Sequence, residues 1–264
     1  IKKVFTLIVD RSGSMGGTKI DQAKNAAKFI VNNLNPGDKF NIVDFETSVY
    51  SFRSQHVLYT TQTRDSALTY VNNIVAGGST NISGAFSTAV PQFNAATDST
   101  ANIIIFFTDG QPTVGITETT ALLNHVHNLI TTAESKIFLY SFGIGTDVNQ
   151  QLLTLMSSQN NGYSEFLLDG ELESRITNFY LRIKNPVLLS PTVSFNAGGI
   201  TNVYPNPLPN LYIGQQMIVT GRYTSTGPVT VTLSGKAFNQ PVSYQYTFNR
   251  VDTTATRYQF LTKI

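Results

Sequence analysis

The sequence contains no cysteine, so none of its 264 residues can form a disulfide bond or a thiolate metal site. A chain without cysteine is compatible with the cytosol and with a bacterial exterior alike. There is also no signal peptide, and the chain opens directly inside its first predicted strand. We therefore expect a fragment of a longer protein, separated from its targeting signals.

Charge is scarce as well. Charged residues make up 13% of the chain and the net charge is +2, so no strong field favours nucleic acid or an acidic membrane surface as a partner. No apolar run approaches the roughly 20 residues that a membrane helix needs, so we expect no membrane insertion. The hydrophobic content of 41% is nevertheless sufficient for a sizeable core.

The most informative segment is an apolar run, Val4–Val9, that ends in Asp10, Ser12 and Ser14. The run lacks the polar alternation of a half-exposed strand, which predicts a strand of a parallel sheet covered on both faces. Side chains that follow such a strand lie at the sheet edge where ligands bind in open α/β folds. Carboxylate and hydroxyl oxygens suit Mg²⁺, Mn²⁺ or Ca²⁺ rather than zinc or copper.

Two other segments offer further oxygen ligands, which a small octahedral ion requires because it takes about six donors. A glycine-rich loop at 76–82 presents Thr80, and a second buried strand at 103–108 is followed by Asp109. The sequence therefore predicts one metal site built from three loops, with the ligand set Asp10, Ser12, Ser14, Thr80 and Asp109.

These three motifs, Asp-x-Ser-x-Ser, Gly-Gly-x-Thr-Asn and apolar-Thr-Asp-Gly, resemble in this order those of von Willebrand factor type A domains. The resemblance implies a metal-ion-dependent adhesion site in which Ser12, Ser14 and Thr80 bind the cation directly and Asp10 and Asp109 act largely through water. Mg²⁺ is the expected ion, and Mn²⁺ or Ca²⁺ remain open. A plainer alternative is that Ser14 or Thr18 only caps the following helix.

A divalent cation held mainly by neutral hydroxyls keeps much of its charge, so it attracts a carboxylate. We therefore expect a protein partner that offers an Asp or Glu side chain, with Arg11, Met15 and the loop at 112–116 at the rim. No acid/base pair or nucleophile with a partner emerges from the sequence, so we do not expect an enzyme. The alternative function is an intracellular scaffold that works with an ATPase.

Strands alternate with helices as far as residue 183, which predicts an α/β fold with a doubly wound, mostly parallel sheet. Only a short edge strand should run antiparallel. Helical spacing ends at Lys184-Asn185-Pro186, and strand-like runs follow. We expect a type A domain at 1–183 and a smaller all-β, sandwich-like domain at 184–264.

A narrower resemblance lies in two segments, 106–115 and 204–216, which are similar to the heavy chains of inter-α-trypsin inhibitor and their bacterial relatives. In that family the type A domain is inserted into a β-sandwich whose other strands precede it, so the β domain here should be incomplete. The resemblance implies a secreted or cell-surface protein, and a bacterial relative is the expected kind.

Some residues have less specific interpretations. Asp44 interrupts an apolar strand and is expected at an exposed edge, and Asp147 follows Gly143-Ile144-Gly145 as a turn or cap residue. Aromatic residues of the second half could form a weak carbohydrate-binding face, although aromatic side chains are common in strands for packing reasons. These residues are Tyr223, Tyr244, Tyr246 and Tyr258.

Overall fold

The computed structural model of the protein describes residues 2–95, 100–167, 172–237 and 240–250. These residues divide into two compact units, with a boundary between Pro186 and Val187. The first unit also includes Tyr212–Gly214, and the second contains the other described residues beyond the boundary. None of the described helices combines the length and the apolar character that crossing a bilayer requires.

Seven strands form the central sheet of the first unit: β1 (Lys3–Asp10), β2 (Lys39–Phe45), β3 (Val49–Ser51), β4 (Val57–Leu58), β5 (Ala101–Thr108), β6 (Ile137–Ile144) and β7 (Ser164–Leu167). Their order is β3-β2-β1-β5-β6-β7, with β4 also paired to β2. The five longer strands are parallel, whereas β3 and β4 run antiparallel to β2. The predicted mostly parallel sheet is confirmed, with two short antiparallel strands rather than one.

The described part of the same unit has six α-helices: α1 (Thr18–Asn33), α2 (Thr61–Asn72), α3 (Ile82–Ala89), α4 (Thr119–Thr132), α5 (Gln150–Ser158) and α6 (Leu172–Ile183). Helix α1 contacts α2 and α6, whereas α4 contacts α3 and α5, so the helices form two groups. The ring of Phe5 in β1 lies 6.2 Å from that of Tyr180 in α6, while Ile8 joins the core cluster that includes α3, α4 and α5. Because strand side chains alternate between faces, a strand between two helical layers must be apolar throughout.

Local chemistry sets the boundaries of two helices. Apolar spacing in the sequence predicts the start of α2 at about residue 64, but the helix begins at Thr61, because Thr60 and Thr63 form a reciprocal capping box before its first apolar residue. Helix α3 ends at Ala89, and a 3₁₀ helix, Val90–Ala95, contains Pro91. Proline is expected to end or kink a helix, and α3 ends two residues before Pro91. The sequence also predicts a helix from Gly170 and a strand as far as Leu168, and both of these ends lie outside the described residues.

In the described residues beyond α6, the regular elements are all strands: β8 (Pro186–Phe195), β9 (Ile200–Tyr204), β10 (Leu211–Tyr212), β11 (Thr220–Tyr223), β12 (Gly227–Ala237) and β13 (Gln240–Arg250). A four-stranded sheet has the order β10-β8-β12-β13, and β9 pairs with β11 in a separate two-stranded sheet. These extra sheets are consistent with the expected smaller β domain. Of the aromatic residues predicted for a carbohydrate face, Tyr223, Tyr244 and Tyr246 are exposed, whereas Tyr258 lies outside the described residues, so that role stays a prediction.

The order of the strands decides where a ligand site can form. Strand β1 lies between β2 and β5, so the chain proceeds to one side of β1 first and returns to the other side later. The parallel register pairs Val9 of β1 with Phe107 of β5, which brings the two loops that follow these strands to the same sheet edge. Such a reversal point is the usual ligand-binding position of an open α/β sheet.

Candidate metal centre

Asp10 is the last residue of β1, and its side chain is completely buried. One carboxylate oxygen, Oδ1, accepts a 2.8 Å hydrogen bond from the backbone N–H of Ser12, and Oδ2 accepts one of 2.6 Å from Thr108 Oγ1. Burial raises the pKa of Asp10 to about 6, although the hydrogen bonds from Thr108 and Ser12 act to lower it. Asp10 is thus a buried carboxyl group whose charged form a nearby cation would stabilise.

Ser12 and Ser14 continue from Asp10 as a chain of oxygen atoms. The two hydroxyls lie 3.2 Å apart, and Ser14 Oγ donates a 2.9 Å hydrogen bond to Asp109 Oδ1. A short 3₁₀ turn, Gly13–Met15, directs the two serines to the same side. Ser12 and Asp109 are buried, whereas Ser14 is exposed, so the chain of oxygens reaches the surface at Ser14.

Thr80 reaches the same place from a different loop. A Cβ atom built on Gly110 would lie 3.7 Å from Ser14 Oγ and 4.0 Å from Thr80 Oγ1, so both hydroxyls border the space beside this glycine. The backbone of Thr80 is fixed by two hydrogen bonds with Thr113: its N–H donates to Thr113 Oγ1 at 2.8 Å, and its carbonyl accepts from the Thr113 N–H at 2.9 Å. The loop is therefore held in position on the side of residues 110–113.

The structure brings together all five residues that were predicted from the sequence, and their chemistry fits a hard divalent cation. The side chains provide two carboxylates and three hydroxyls, which are all oxygen ligands. Among the described residues no three His, Cys, Asp or Glu side chains form a cluster that could hold a metal ion by themselves. Hydroxyl groups would therefore have to provide part of any ligand set at this edge of the sheet.

The plainer interpretation of this loop, a helix cap, is wrong. Gly17, which has no side chain, is the N-cap residue of α1, so neither Ser14 nor Thr18 occupies the capping position. Ser14 bonds to Asp109 instead, across 95 residues of sequence. Met15 was expected at the rim, but its side chain is completely buried, because the 3₁₀ turn directs it into the core.

Sequence reasoning missed Lys19 as part of this site. Its ammonium group lies 2.6 Å from Asp109 Oδ2 and 3.1 Å from Asp147 Oδ1. Burial alone would lower the pKa of Lys19, but the two carboxylates outweigh this effect and raise it. A signal was available, because a lysine in the first turn of a helix is disfavoured by the helix dipole and so indicates a specific acidic partner. Asp147 therefore forms an ion pair with the Lys19 ammonium group and is not only a turn residue.

Arg11 leads away from the serine loop toward β2. Its Nε donates a 2.7 Å hydrogen bond to Asp44 Oδ2, and the Tyr70 hydroxyl donates to Asp44 Oδ1. The prediction that Asp44 lies at an exposed edge is wrong: it is only 5% exposed. Burial raises the pKa of Asp44, while Tyr70 and Arg11 act to lower it. Strand β3 pairs with β2 beside Asp44, and helix α2 supplies Tyr70 as its partner. The sequence pattern of β2 alone reveals neither of these neighbours.

Comparison with known proteins agrees with this architecture. The family model for the von Willebrand factor type A domain matches residues 5–178. Inter-alpha-trypsin inhibitor heavy chain H4 from Homo sapiens is 30% identical over 252 residues, and heavy chain H1 from Sus scrofa is 31% identical over 229 residues. These alignments cover 92% and 84% of this chain but only 27% and 25% of the relatives, so the chain spans about a quarter of their length.

Solved structures share the fold at lower sequence identity. A von Willebrand factor type A protein from Catenulispora acidiphila has a TM-score of 0.74 at 20% identity, covering 97% of this chain and 67% of that one. The ArnB paralog VWA2 from Sulfolobus acidocaldarius has a TM-score of 0.61 at 17% identity, covering 94% and 66%.

Type A domains are in general metal-dependent protein-interaction modules without enzymatic activity, and they commonly bind a divalent cation at an adhesion site. The family model covers most of this chain, and the fold and the order of the three loops agree with it. This chain belongs to the von Willebrand factor type A family and is similar to the inter-α-trypsin inhibitor heavy chains.

Proposed function

We propose that this chain binds a divalent cation through Asp10, Ser12, Ser14, Thr80 and Asp109 and uses it to capture an Asp or Glu side chain of a protein partner. The observation that carries the proposal is the continuous series of oxygen atoms from Asp10 through Ser12 and Ser14 to Asp109, with Thr80 beside it. Mg²⁺ is the ion we propose, because it usually keeps several bound waters. Asp10 and Asp109 would act largely through such waters, which leaves a coordination position for a partner.

The charges of the ligand set explain why a carboxylate would follow the cation. The three side chains that would bind the ion directly, Ser12, Ser14 and Thr80, are neutral hydroxyls, so the ion keeps much of its positive charge after binding. A partner carboxylate would neutralise it, and this attraction is strong where the surroundings exclude water. Ser14 is the exposed member of the set and gives the partner access. The cation would supply charge and a coordination position, and no chemical reaction is involved.

Thermal unfolding in chelator and in Mg²⁺, Mn²⁺ or Ca²⁺ tests the ion site. At a hundred times the Kd, a bound ion should stabilise the folded chain by about 2.7 kcal/mol, which corresponds to a rise in Tm of several degrees. Thr80→Val should abolish most of this rise, whereas Ser79→Ala, a matched change at the neighbouring residue, should preserve it. An equal rise in wild type and Thr80→Val would remove Thr80 from the ligand set.

A second experiment tests the partner chemistry. A short peptide that presents one Asp side chain is immobilised, and a second peptide carries Asn at the same position. Binding of the chain to each peptide is measured in Mg²⁺ and in chelator. We expect retention only by the Asp peptide and only with the metal. Equal retention by both peptides would contradict capture of a carboxylate, even if the ion site itself is correct.

We also propose a secreted or cell-surface location. The similarity to the heavy chains and the low content of charged residues support this proposal. Fractionation of cells that express the whole natural gene tests it, and a protein recovered only from the cytosol would contradict it.

A further inference from the structure

Lys19 is held by two ion pairs beside the proposed ion site. Its ammonium group contacts Asp109 Oδ2 at 2.6 Å, while the other oxygen of the same carboxylate accepts the hydrogen bond from Ser14. The Asp109 side chain is completely buried, and the side chain of Lys19 is 20% exposed. A buried carboxylate thus has a fixed cation on one side and the proposed ion site on the other.

Gly145 makes room for this lysine. The residue has a φ of +103°, and a Cβ atom at this position would lie 2.8 Å from Lys19 Cε and 3.2 Å from its Nζ. Asp147, two residues later, forms the second ion pair, with 3.1 Å between its Oδ1 and Lys19 Nζ. The ammonium group is therefore held between the start of α1 and the loops that follow β5 and β6, unlike an ordinary surface lysine.

We propose that Lys19 is an internal counter-cation that competes with the divalent ion for the charge of Asp109, an inference that rests on the ion site proposed above. Without Lys19 the site would hold the two charges of Asp10 and Asp109. The ammonium group compensates one of them. The consequence is weaker binding of the divalent ion, and also a larger uncompensated positive charge on that ion once it is bound, which favours a partner carboxylate.

The competing explanation is that Lys19 only orients Asp109 toward the serines. The two roles predict opposite changes. A competitor lowers the affinity for the ion, so that its removal strengthens ion binding, whereas an orienting residue raises the affinity, so that its removal weakens binding.

Lys19→Gln is the decisive variant, because the amide can still donate a hydrogen bond to Asp109 but carries no charge. Lys28→Gln is the matched control: Lys28 lies on the same helix, nine residues and about 13 Å further along, and bonds to Asn72 Oδ1.

Mg²⁺ and Mn²⁺ affinities of the whole chain are measured by titration calorimetry at two ionic strengths. We expect Lys19→Gln to bind Mg²⁺ about tenfold more tightly than wild type, with a difference that shrinks in high salt. Lys28→Gln should stay within about twofold of wild type.

Stability supplies a second readout. In chelator, Lys19→Gln should unfold at a lower temperature than wild type, because the buried carboxylate of Asp109 loses its counter-charge. Saturating Mg²⁺ should close or reverse this difference. A variant that stays less stable by the same amount, or unfolded, at saturating Mg²⁺ would overturn the proposal.

The outcomes separate the two proposals. If wild type binds the ion and Lys19→Gln binds it equally or more weakly, the competitor role is wrong and the ion site stands. If neither binds any divalent ion, both proposals fail. Binding by Lys19→Gln alone would support the competitor role in its strongest form.

Discussion

Thr108 Oγ1 donates a 2.6 Å hydrogen bond to Asp10 Oδ2, and both side chains are completely buried. The two residues end the neighbouring parallel strands β5 and β1, 98 residues apart in sequence. The bond therefore joins the ends of the two strands from which two of the three loops of the proposed ion site begin. It also stabilises the charged form of a carboxyl group that burial otherwise disfavours.

Thr108→Val tests this link, because valine keeps the shape of the side chain and removes the hydroxyl. We expect a loss of about 1–3 kcal/mol in the free energy of unfolding, the cost of an unsatisfied buried partner, and weaker Mg²⁺ binding. Denaturant unfolding and a Mg²⁺ titration measure the two effects. Thr108→Ser keeps the hydroxyl and is the control, so equal losses in both variants would assign the effect to packing.

Gly78 sets the path of the loop that presents Thr80. Its φ is +74°, and a Cβ atom there would lie 2.2 Å from Glu46 Oε2. Gly78→Ala should therefore cost about 1–2 kcal/mol and weaken Mg²⁺ binding through displacement of the loop. Gly77→Ala is the matched control, because a Cβ atom at Gly77 meets nothing within 4 Å. If both variants behave like wild type in unfolding and in Mg²⁺ titration, the loop path does not depend on this glycine.

The central strands and the meeting of the five predicted residues at one sheet edge could be predicted from the sequence because each segment is encoded locally. The apolar runs of β1 and β5 end directly in Asp10 and Asp109, and the loop motif marks Thr80. The two acidic partners of Lys19 could not be predicted in the same way, because they are distant in sequence. Asp147, for example, lies 128 residues away. Such a pair depends on which strands become neighbours, and no short motif records that.

The second half of the chain was less predictable for a related reason. The composition of β12 and β13 is typical of strands. How the strands of this half pair into separate four- and two-stranded sheets depends instead on non-local register. The two-domain division at 183 and 184 stays a prediction. The boundary between the compact units falls close by, at Pro186 and Val187, although Tyr212–Gly214 belongs with the first unit.

Tyr70 should contribute to stability through Asp44. Tyr70→Phe keeps the ring, which lies 5.5 Å from that of Phe52, but removes the hydroxyl that donates to the buried carboxylate. We expect a loss of about 1–2 kcal/mol in the free energy of unfolding. Tyr50→Phe, a change of the same atoms at a side chain that is 50% exposed, should alter stability by less than about 0.5 kcal/mol. Similar values for the two variants in denaturant unfolding would show that the bond to Asp44 has no net effect.

His56 predicts a pH dependence of stability. Its Nδ1 faces the backbone carbonyl of Gln92 at 3.1 Å and must donate to it, so Nε2 of the neutral ring accepts from the Thr6 hydroxyl at 2.7 Å. Burial lowers the pKa of His56 to about 4. The hydrogen bond to Gln92 acts to raise this pKa, and the charge of Lys39 acts to lower it further. The ordinary pKa of an unfolded histidine is about 6.5.

Between about pH 6.5 and pH 4 the unfolded chain therefore binds a proton at His56 that the folded chain does not bind. The free energy of unfolding should fall as the pH falls through this range, by roughly 2–3 kcal/mol from this residue. Asp10, whose folded pKa is raised to about 6, acts in the opposite direction, because its folded form gains a proton first.

The prediction thus concerns the difference between wild type and His56→Gln, measured by denaturant unfolding in chelator from pH 7 to pH 4. That difference should shift in favour of His56→Gln as the pH falls, and His125→Gln, which changes a histidine in contact with Ser87, is the control. Parallel curves for wild type and His56→Gln would mean that the folded protein protonates His56 as easily as the unfolded chain does.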